Sequence, residues 1–307
     1  MDVYFSIVMP IYKTEKVIIE RAIKSVENQI FKNWELIIVD DNPKNSEYKN
    51  IVRYLSEKNR NDKISFIIQE NNRGANAARN EGVKHSKGMW CAFIDADDEW
   101  MEDYLKNCKN IIDNDHSVGL VSSSYIIVTR GRKVTISSDF TRGNYYKQEL
   151  MDDIVSPTSA VIVKKENLEM IGGFDESLPA RQDYDTWLRV SKFADFASNN
   201  RPSVYIYRNG HESISTNYMN HVHGTLKVLE KIKSQIPEQE YLRIKEYHYL
   251  HIAEYCIQFS DYELASEYAR KCSKSNRKTK IMLVCRLRRV HSIYRGFGRK
   301  IISFFHQ

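Results

Sequence analysis

The feature of this sequence that most restricts its fold is a series of short apolar segments that alternate with segments of helical type. Seven segments follow this alternation, beginning and ending on a strand: 5–12, 17–30, 34–42, 48–58, 64–69, 74–85 and 90–94. Strands that are apolar on both faces and alternate with helices form a parallel sheet that helices cover on both sides. The sequence therefore predicts an α/β fold with a Rossmann-like, mostly parallel central sheet.

Carboxylates follow two of these strands. Asp40 and Asp41 end the second strand, and Asp95, Asp97 and Asp98 come directly after the fourth. Ligands of parallel sheets gather beyond the carboxyl ends of the strands, and clustered carboxylates are costly unless a cation or several donors oppose them. Such hard oxygen ligands suit Mg²⁺ or Mn²⁺ and a phosphate-bearing substrate. A D-x-D pattern alone also fits an acidic helix N-terminus, but its position at a strand end favours a ligand site.

The second part of the chain has a weaker pattern, and we expect a domain boundary near Thr216. Further strands and helices are predicted within five segments: 118–128, 133–138, 159–176, 180–193 and 203–215. From Asn217 onward the pattern is helical and carries no strand signal. The sequence therefore predicts a first domain over 1–215 and a helical region over 216–307.

Composition restricts the compartment. Apolar and charged fractions of 42% and 28% are typical of a soluble globular protein. The five cysteines lack C-x-x-C spacing, which favours reduced thiols in the cytoplasm over a zinc site. No secretory signal is visible, and no apolar run approaches the roughly 20 residues that span a bilayer. We therefore expect a cytoplasmic protein.

Basic residues are concentrated at the C-terminal end. No acidic residue follows Glu267, whereas twelve Lys and Arg residues do, and such asymmetry indicates an anionic partner surface. Apolar residues between 281 and 305 alternate with basic ones, which is typical of an interfacial helix on an anionic membrane. The basic side chains that we assign to membrane binding are Arg286, Arg288, Arg289, Arg295, Arg299 and Lys300.

Other interpretations of this basic segment stay open. A basic helix can also pack on its own protein or form the interface of a homodimer. Nucleic-acid binding is the third interpretation, and it is disfavoured because apolar residues outnumber aromatic side chains suited to base stacking. We therefore expect no nucleic-acid partner.

Seven motifs between Phe5 and Ser215 identify the family that the chain resembles. In order they read VMPIYK, WELIIVDDN, NNRGANAARNEG, FIDADDEW, GGFDE, QDYDTWLR and HESIS. Together they resemble a family 2 glycosyltransferase with the GT-A fold. The resemblance implies an enzyme that transfers a sugar from a nucleoside diphosphate, usually UDP, to an acceptor hydroxyl with inversion at the anomeric carbon.

The resemblance also implies a set of donor-binding residues. Tyr12, beside Pro10 at the end of the first strand, would stack on the uracil, and Asp41 would accept the base N3–H. Asp95 and Asp97 would hold the ribose and a Mn²⁺ or Mg²⁺ ion on the diphosphate, where the ion assists the leaving group. The remaining implied contacts are a nucleotide contact from Arg73 or Arg79, a metal or diphosphate contact from His211, and a phosphate contact from Ser213.

Asp183 is the candidate general base. An acceptor hydroxyl is a poor nucleophile, so a carboxylate within hydrogen-bond reach must accept its proton during attack. The family usually has Glu-Asp at this position, whereas this chain has Gln182 and Asp183. Asp183 and Asp185 also fit the first turn of a helix, where acids are favoured.

The function expected from these patterns is a metal-dependent, inverting glycosyltransferase of bacterial capsule, O-antigen or exopolysaccharide synthesis. The Q-x-x-R-W motif of processive relatives is absent, so one sugar is added per encounter, and the acceptor is expected to be a lipid-linked saccharide at the inner face of the membrane. A sugar nucleotidyltransferase is the alternative within the same fold class. It would need a Gly-rich loop after the first strand, and residues 9–17 contain no glycine.

Overall fold

A computed structural model describes residues 3–41, 57, 62–155, 157–208 and 217–291 of the chain, with the side chains of 289–291 left out. The predicted helix at 48–58 lies outside the described residues apart from residue 57. The chain divides into two compact units, Met1–His211 and Glu212–Gln307. Each unit is described by itself.

The first unit alternates strands and helices, as the sequence predicts for its amino-terminal part. Its elements in chain order are β1 (Phe5–Ile11), α1 (Lys16–Glu27), β2 (Trp34–Asp40), β3 (Ile64–Ile68), α2 (Ala75–His85), β4 (Trp90–Phe93), β5 (Glu99–Trp100), α3 (Tyr104–Asn114), β6 (Val118–Thr129), β7 (Arg132–Ile136), α4 (Tyr146–Met151), a 3₁₀ turn (Thr158–Ala160), β8 (Val161–Lys164), α5 (Lys165–Met170), α6 (Gln182–Val190) and β9 (Asp195–Tyr207).

These strands form one mixed, mostly parallel sheet in the order β3-β2-β1-β4-β8-β6-β9-β5, and β7 also pairs with β6. β1 is parallel to β2 and β4, and β2 is parallel to β3. β8 is antiparallel to both β4 and β6, so β6 runs in the same direction as β4, and β9 is parallel to β6. The carboxyl ends of β1, β2, β4, β6 and β9 therefore meet at one edge of the sheet.

Apolar side chains on both faces of the sheet pack against helices. In β1, Ile7 and Val8 are both fully buried and point to opposite faces because successive strand residues alternate. Ile7 belongs to the core that includes Ile19 of α1, and Val8 belongs to the core that includes Ala78 of α2. This two-sided burial confirms the fold class predicted from the continuously apolar strands.

The second unit consists of helices among its described residues: α7 (Tyr218–Lys233), α8 (Glu238–Gln258), α9 (Tyr262–Arg270) and α10 (Asn276–His291). Asp261 caps α9 by accepting the N–H of Leu264 at 3.0 Å. Arg277 of α10 donates to both carboxylate oxygens of Glu254 in α8, at 2.7 and 2.6 Å. None of the described helices is long and apolar enough to cross a membrane.

The first turns of α10 contribute to the core of this unit. Ile281 is fully buried and Cys285 nearly so, and both pack within the core of the helical unit. Leu283 and Leu287 on the same helix are exposed. Within residues 281–288, the described part of the apolar segment that predicts membrane binding, some apolar side chains therefore face outward and others are buried. The five cysteines are buried and none of them forms a disulfide, consistent with the predicted reduced thiols.

Candidate active site

The loop between β4 and β5 carries the three carboxylates of the predicted metal site. It begins with a turn in which the N–H of Asp98 donates to the carbonyl of Asp95 at 3.0 Å. The side chain of Asp95 is 39% exposed, Asp97 is exposed, and Asp98 is buried. The structure therefore directs the three acids differently although they are adjacent in sequence.

Asp98 fixes the loop from inside the protein. Its Oδ2 accepts the hydroxyl of Ser159 at 2.5 Å and its Oδ1 accepts the N–H of Tyr207 at 3.2 Å. Ser159 Oγ also accepts the N–H of Asp95 at 3.0 Å. Burial raises the pKa of Asp98 well above its usual range, and the nearby charges of Asp95 and Asp97 raise it further. This third carboxylate braces the loop from the interior.

Arg21 of α1 holds the same loop from the other side. Its Nη2 donates to the carbonyl oxygen of Asp97 at 2.5 Å, and its guanidinium lies 3.9 Å from the ring centroid of Tyr207. The Tyr207 hydroxyl in turn donates to Glu99 at 2.9 Å. Because Arg21 contacts the backbone of Asp97, it fixes the position of that residue without using its carboxylate.

The two candidate arginines differ in what they contact. Arg79 of α2 is buried and its Nη2 lies 2.6 Å from Oδ1 of Asp95. Arg73 precedes α2, and its exposed side chain pairs with Glu176 at 2.7 Å. Arg79 is therefore the arginine that compensates the carboxylates at this edge of the sheet.

Asp41, directly after β2, binds the loop that precedes α2. Its two carboxylate oxygens accept the N–H groups of Arg73 and Gly74, each at 2.7 Å. Gly74 has a φ of 88°, a left-handed conformation that glycine adopts without a Cβ clash. Burial raises the pKa of Asp41, and the two backbone hydrogen bonds oppose this shift. Each oxygen retains a lone pair that can accept a further N–H.

Tyr12 lies at the carboxyl end of β1 and is 43% exposed. The residue after it, Lys13, has a left-handed φ of 48°, and the Thr14 hydroxyl donates to the Tyr12 carbonyl at 3.2 Å. Pro10 within β1 is half-buried. An exposed aromatic ring at the edge that also carries Asp41 can stack on a planar ligand.

The two acids in the first turn of α6 have different partners. Asp185 is buried and pairs with Arg189 at 2.7 Å, and Arg189 also donates to the carbonyls of Ile171 and Gly173 at 2.8 Å. Arg189 therefore connects α6 to the preceding turn, and Asp185 pairs with it from within the same helix. Asp183 is half-buried, and its Oδ1 accepts the N–H of Tyr184 at 2.9 Å.

A cluster of acids around one arginine adjoins Asp183. Arg181 immediately before α6 has a left-handed φ of 64° and donates to Asp153 at 2.8 Å. Its guanidinium lies 4.2 Å from the ring centroid of Tyr184, and Glu149 is fully buried close by. Burial raises the pKa of Asp153 to about 7, Arg181 opposes the shift, and Asp183 adds to it. Acids therefore outnumber cations in this cluster.

This excess of acids predicts that the folded protein loses stability as pH rises from about 4 to about 7. The pKa of Asp153 is raised to about 7 in the fold and is about 3.9 in an unfolded chain. The folded state thus binds more protons in this window, and the free energy of unfolding falls with rising pH. Between pH 4 and pH 7 we expect the melting temperature of wild type to fall by several degrees more than that of Asp153→Asn. A change of 1 kcal/mol in the free energy of unfolding shifts the melting temperature by roughly 2–4 °C.

The control for this measurement is Asp139→Asn, which removes an exposed acid. Its melting curve should shift with pH as that of wild type does. Parallel pH dependence of wild type and Asp153→Asn would contradict the proposed proton uptake.

Sequence reasoning missed the residues that hold the loop and the cluster. Arg21 occurs on an amphipathic helix where a basic residue usually faces solvent, and Ser159 occurs in a polar turn without a motif. Glu149, Asp153 and Arg181 carry no signal in the sequence except the acid pair that includes Asp153. Predicted contacts His211 and Ser213, and the basic residues Arg295, Arg299 and Lys300, lie outside the described residues.

The described acids fit a divalent ion that is shared with a substrate. Among the described residues, no group of three His, Cys, Asp or Glu side chains is placed to hold a metal by itself. Mg²⁺ is usually bound by one or two carboxylates together with substrate phosphates. Asp95 and Asp97 provide such hard oxygen ligands at an exposed loop, so they suit an ion that arrives with a diphosphate.

Comparison with known proteins gives a family match to this part of the chain. The family model described as "Glycosyl transferase family 2" matches residues 6–164. A glycosyltransferase of Methanocaldococcus jannaschii, MJ1057, is 30% identical over 189 residues, which cover 60% of this chain and 63% of the relative. The amylovoran biosynthesis glycosyltransferase AmsB of Erwinia amylovora is 28% identical over 201 residues, covering 62% and 65%. The chain thus matches less than two thirds of the length of these two relatives.

A third relative has a more specific name. It is the UDP-Glc:alpha-D-GlcNAc-diphosphoundecaprenol beta-1,3-glucosyltransferase WfgD of Escherichia coli, which is 25% identical over 226 residues, or 71% of this chain and 82% of the relative.

Solved structures confirm the predicted GT-A fold. S. aureus TarS in complex with UDP-GlcNAc aligns with a TM-score of 0.67 at 20% identity, covering 88% of this chain and 82% of that one. The mannosyltransferase PcManGT of Pyrobaculum calidifontis, in complex with GDP-Man and Mn²⁺, aligns with a TM-score of 0.63 at 17% identity, covering 96% and 83%.

Proposed function

Because this chain belongs to glycosyl transferase family 2, we propose that it transfers a sugar from a UDP-linked donor to a hydroxyl of a saccharide acceptor. The observation that most supports this proposal is the arrangement of Asp41, Asp95 and Asp97 at the carboxyl ends of β2 and β4, which are both parallel to β1. The reaction serves bacterial surface-polysaccharide synthesis, a proposal supported by the name of AmsB, which assigns that relative to amylovoran biosynthesis. The acceptor is a lipid-linked saccharide, as in the name of WfgD.

In the proposed donor complex, the carboxyl ends of β1, β2 and β4 all contribute contacts. Tyr12 stacks on the uracil, and Asp41 accepts the base N3–H with a lone pair that its two backbone donors leave available. Asp95 and Asp97 hold Mn²⁺ or Mg²⁺ together with the donor diphosphate. The ion, when bound, supplies Lewis-acid stabilisation of the charge on the departing diphosphate.

The proposed chemical step is a single displacement. The acceptor oxygen forms a bond to the anomeric carbon as the bond to the diphosphate oxygen breaks, and the acceptor proton passes to the carboxylate of Asp183. Attack from the face opposite the leaving group inverts the anomeric configuration. Asp185 cannot replace Asp183 in this role because its carboxylate is buried and paired with Arg189.

The experiment that tests this function measures hydrolysis and nucleotide binding for a panel of donors, with Mn²⁺ or with EDTA. The panel contains UDP-sugars and GDP-mannose, since the structure of PcManGT is a complex with GDP-Man. We expect slow, metal-dependent hydrolysis of one UDP-sugar. If calorimetry detects no binding of UDP in the presence of Mn²⁺, a UDP-linked donor is contradicted. If GDP-mannose is the one donor that is hydrolysed, GDP-mannose takes the place of the UDP-sugar as the proposed donor.

We further propose that the enzyme acts at the inner face of the cell membrane and contacts it through α10. Leu283 and Leu287 lie one turn apart on this helix and are 53% and 41% exposed, and Arg286 beside them is exposed as well. An exposed apolar pair next to a basic residue suits the boundary of an anionic bilayer.

Substituting these two leucines should weaken membrane binding. Fully burying a leucine is worth about 1.5–3 kcal/mol, so Leu283→Gln with Leu287→Gln should reduce co-sedimentation with phosphatidylglycerol vesicles by at least about tenfold. Leu242→Gln is the matched control, because Leu242 is 50% exposed on α8. Unchanged vesicle binding of the double variant would contradict the membrane contact, and a loss of self-association in its place would assign this face to a protein interface.

A further inference from the structure

A basic surface lies at the carboxyl ends of β6 and β9 and has no role in the function proposed above. It consists of Arg130, Arg132 and Lys133 at the turn between β6 and β7, together with Arg208. We call it the basic hairpin surface. The N–H of Arg208 donates to the carbonyl of Val128 at 2.9 Å, so this arginine directly follows β9 and adjoins the end of β6.

The sheet topology puts this surface at the same edge as the candidate site. β6 runs in the same direction as β4, because β8 is antiparallel to both. The turn after β6 therefore projects from the edge at which Asp95 follows β4.

The turn itself has a conformation that argues for a role of its arginine. Thr129 pairs with Arg132, and the two residues between them, Arg130 and Gly131, have φ values of 48° and 76°. A two-residue turn of this kind favours Asn, Asp or Gly at both positions. In the left-handed region the Cβ of an arginine lies too close to the following carbonyl oxygen, so this position is strained, and such strain is concentrated at functional positions.

The charge of the surface is not neutralised within the described part of the protein. Residues 125–138 contain three basic residues and no acid. Among the described residues, Arg130, Arg132 and Arg208 form no ion pair within 4.0 Å, while Lys133 Nζ lies 4.8 Å from the ring centroid of Tyr205. Charges on the exposed strand β7 also discourage edge-to-edge pairing, but that effect does not account for Arg208, which follows β9.

The surface adjoins the acceptor side of the candidate site through Tyr125. This tyrosine is half-buried in β6. Burial raises the pKa of its phenol, while the charge of Arg208 lowers it and those of Asp153 and Asp183 raise it. The phenol therefore lies within electrostatic range of both Arg208 and the candidate base.

We propose that the basic hairpin surface binds the diphosphate that links the saccharide acceptor to its lipid. Arginine guanidinium groups match phosphate oxygens in geometry and charge, and the site would receive the acceptor diphosphate while Asp183 receives its sugar hydroxyl. This inference rests on the proposed function, because that function supplies the lipid-linked acceptor and the role of Asp183. The recognition of a lipid diphosphate is separately measurable.

The test measures binding of geranyl diphosphate to the full chain by calorimetry in EDTA, with excess UDP present to compete at the donor site. The variant is Arg130→Gln with Arg132→Gln. Hydrogen bonds to charged groups contribute more than those between neutral groups, so we expect the variant to bind at least tenfold more weakly than wild type. The matched control is Lys106→Gln with Lys147→Gln, which removes two exposed charges elsewhere and should bind as wild type does.

Three outcomes would overturn the proposal: equal affinity of variant and wild type, an equal loss in the control, or loss of phosphatidylglycerol vesicle binding without loss of geranyl diphosphate binding. The last outcome would assign the surface to lipid headgroups. Donor hydrolysis should be unchanged in the variant. If no sugar nucleotide is hydrolysed but the tenfold difference is observed, the proposed function fails and the diphosphate site stands.

Discussion

Replacing Asp97 with asparagine is expected to lower kcat for sugar transfer by about a thousandfold. Lewis-acid stabilisation by a bound ion is worth several kcal/mol, and each 1.36 kcal/mol changes a rate tenfold. Asparagine keeps the size of the side chain but removes the negative charge that holds a divalent cation. The loop should keep its position, because Arg21 holds the carbonyl of Asp97 rather than its carboxylate.

The measurement is a titration of transfer activity with Mn²⁺, together with a thermal melt of each protein. Glu102→Gln is the matched control because Glu102 is an exposed acid a few residues further along the same segment. We expect the control to have the activity and Mn²⁺ dependence of wild type. A full rate for Asp97→Asn at saturating Mn²⁺, with an unchanged melting temperature, would show that this carboxylate does not hold the ion.

The amino-terminal half of the fold could be predicted because its strands carry their own signal. β1 and β2 are almost entirely buried on both faces, so an unbroken apolar run in the sequence corresponds directly to a central parallel strand. The acids that follow such runs had to lie at the carboxyl edge of the sheet. The direction of the strands alone gives this placement, without any knowledge of the contacts between side chains.

The second half was less predictable because its strands are long and partly polar. β9 spans Asp195–Tyr207, whereas the sequence indicates a strand only from Ser203. The first part of β9 contains polar residues, so no apolar pattern marks it as a strand. One of these residues is Asn199, whose side-chain amide donates to the hydroxyls of Ser123 and Ser203 at 3.3 and 3.1 Å. A buried asparagine is stable in a strand when a neighbouring strand supplies partners, and that partner is invisible in a local window.

The direction of individual site side chains was also beyond the sequence. Asp97 and Asp98 are neighbours, yet one is exposed and the other is buried. The partners that draw Asp98 inward, Ser159 and Tyr207, lie 61 and 109 positions away. The different roles of Arg73 and Arg79 were hidden from the sequence for the same reason. Of the two, Arg79 lies within α2 and is buried there, whereas Arg73 precedes the helix.

The second large effect is expected for the candidate base. Asp183→Asn should lower kcat by about 10²–10⁴, the usual contribution of a positioned general base. The amide cannot accept a proton from the acceptor hydroxyl, although it can keep the hydrogen bond that Asp183 accepts from the N–H of Tyr184. Folding should be unaffected for that reason.

The readouts that separate a catalytic from a structural role are donor affinity and the pH–rate profile. UDP binding in Mn²⁺ should match wild type, because Asp183 lies on α6 and Asp41, Asp95 and Asp97 follow other elements. The acidic limb of the kcat profile, which reports ionisation of the base in the complex, should disappear. Asp152→Asn is the matched control, since it removes an exposed acid of the same cluster and should retain that limb. If Asp183→Asn weakened UDP binding as much as it slowed transfer, the residue would serve to build the site, and the proton acceptor would have to be sought elsewhere.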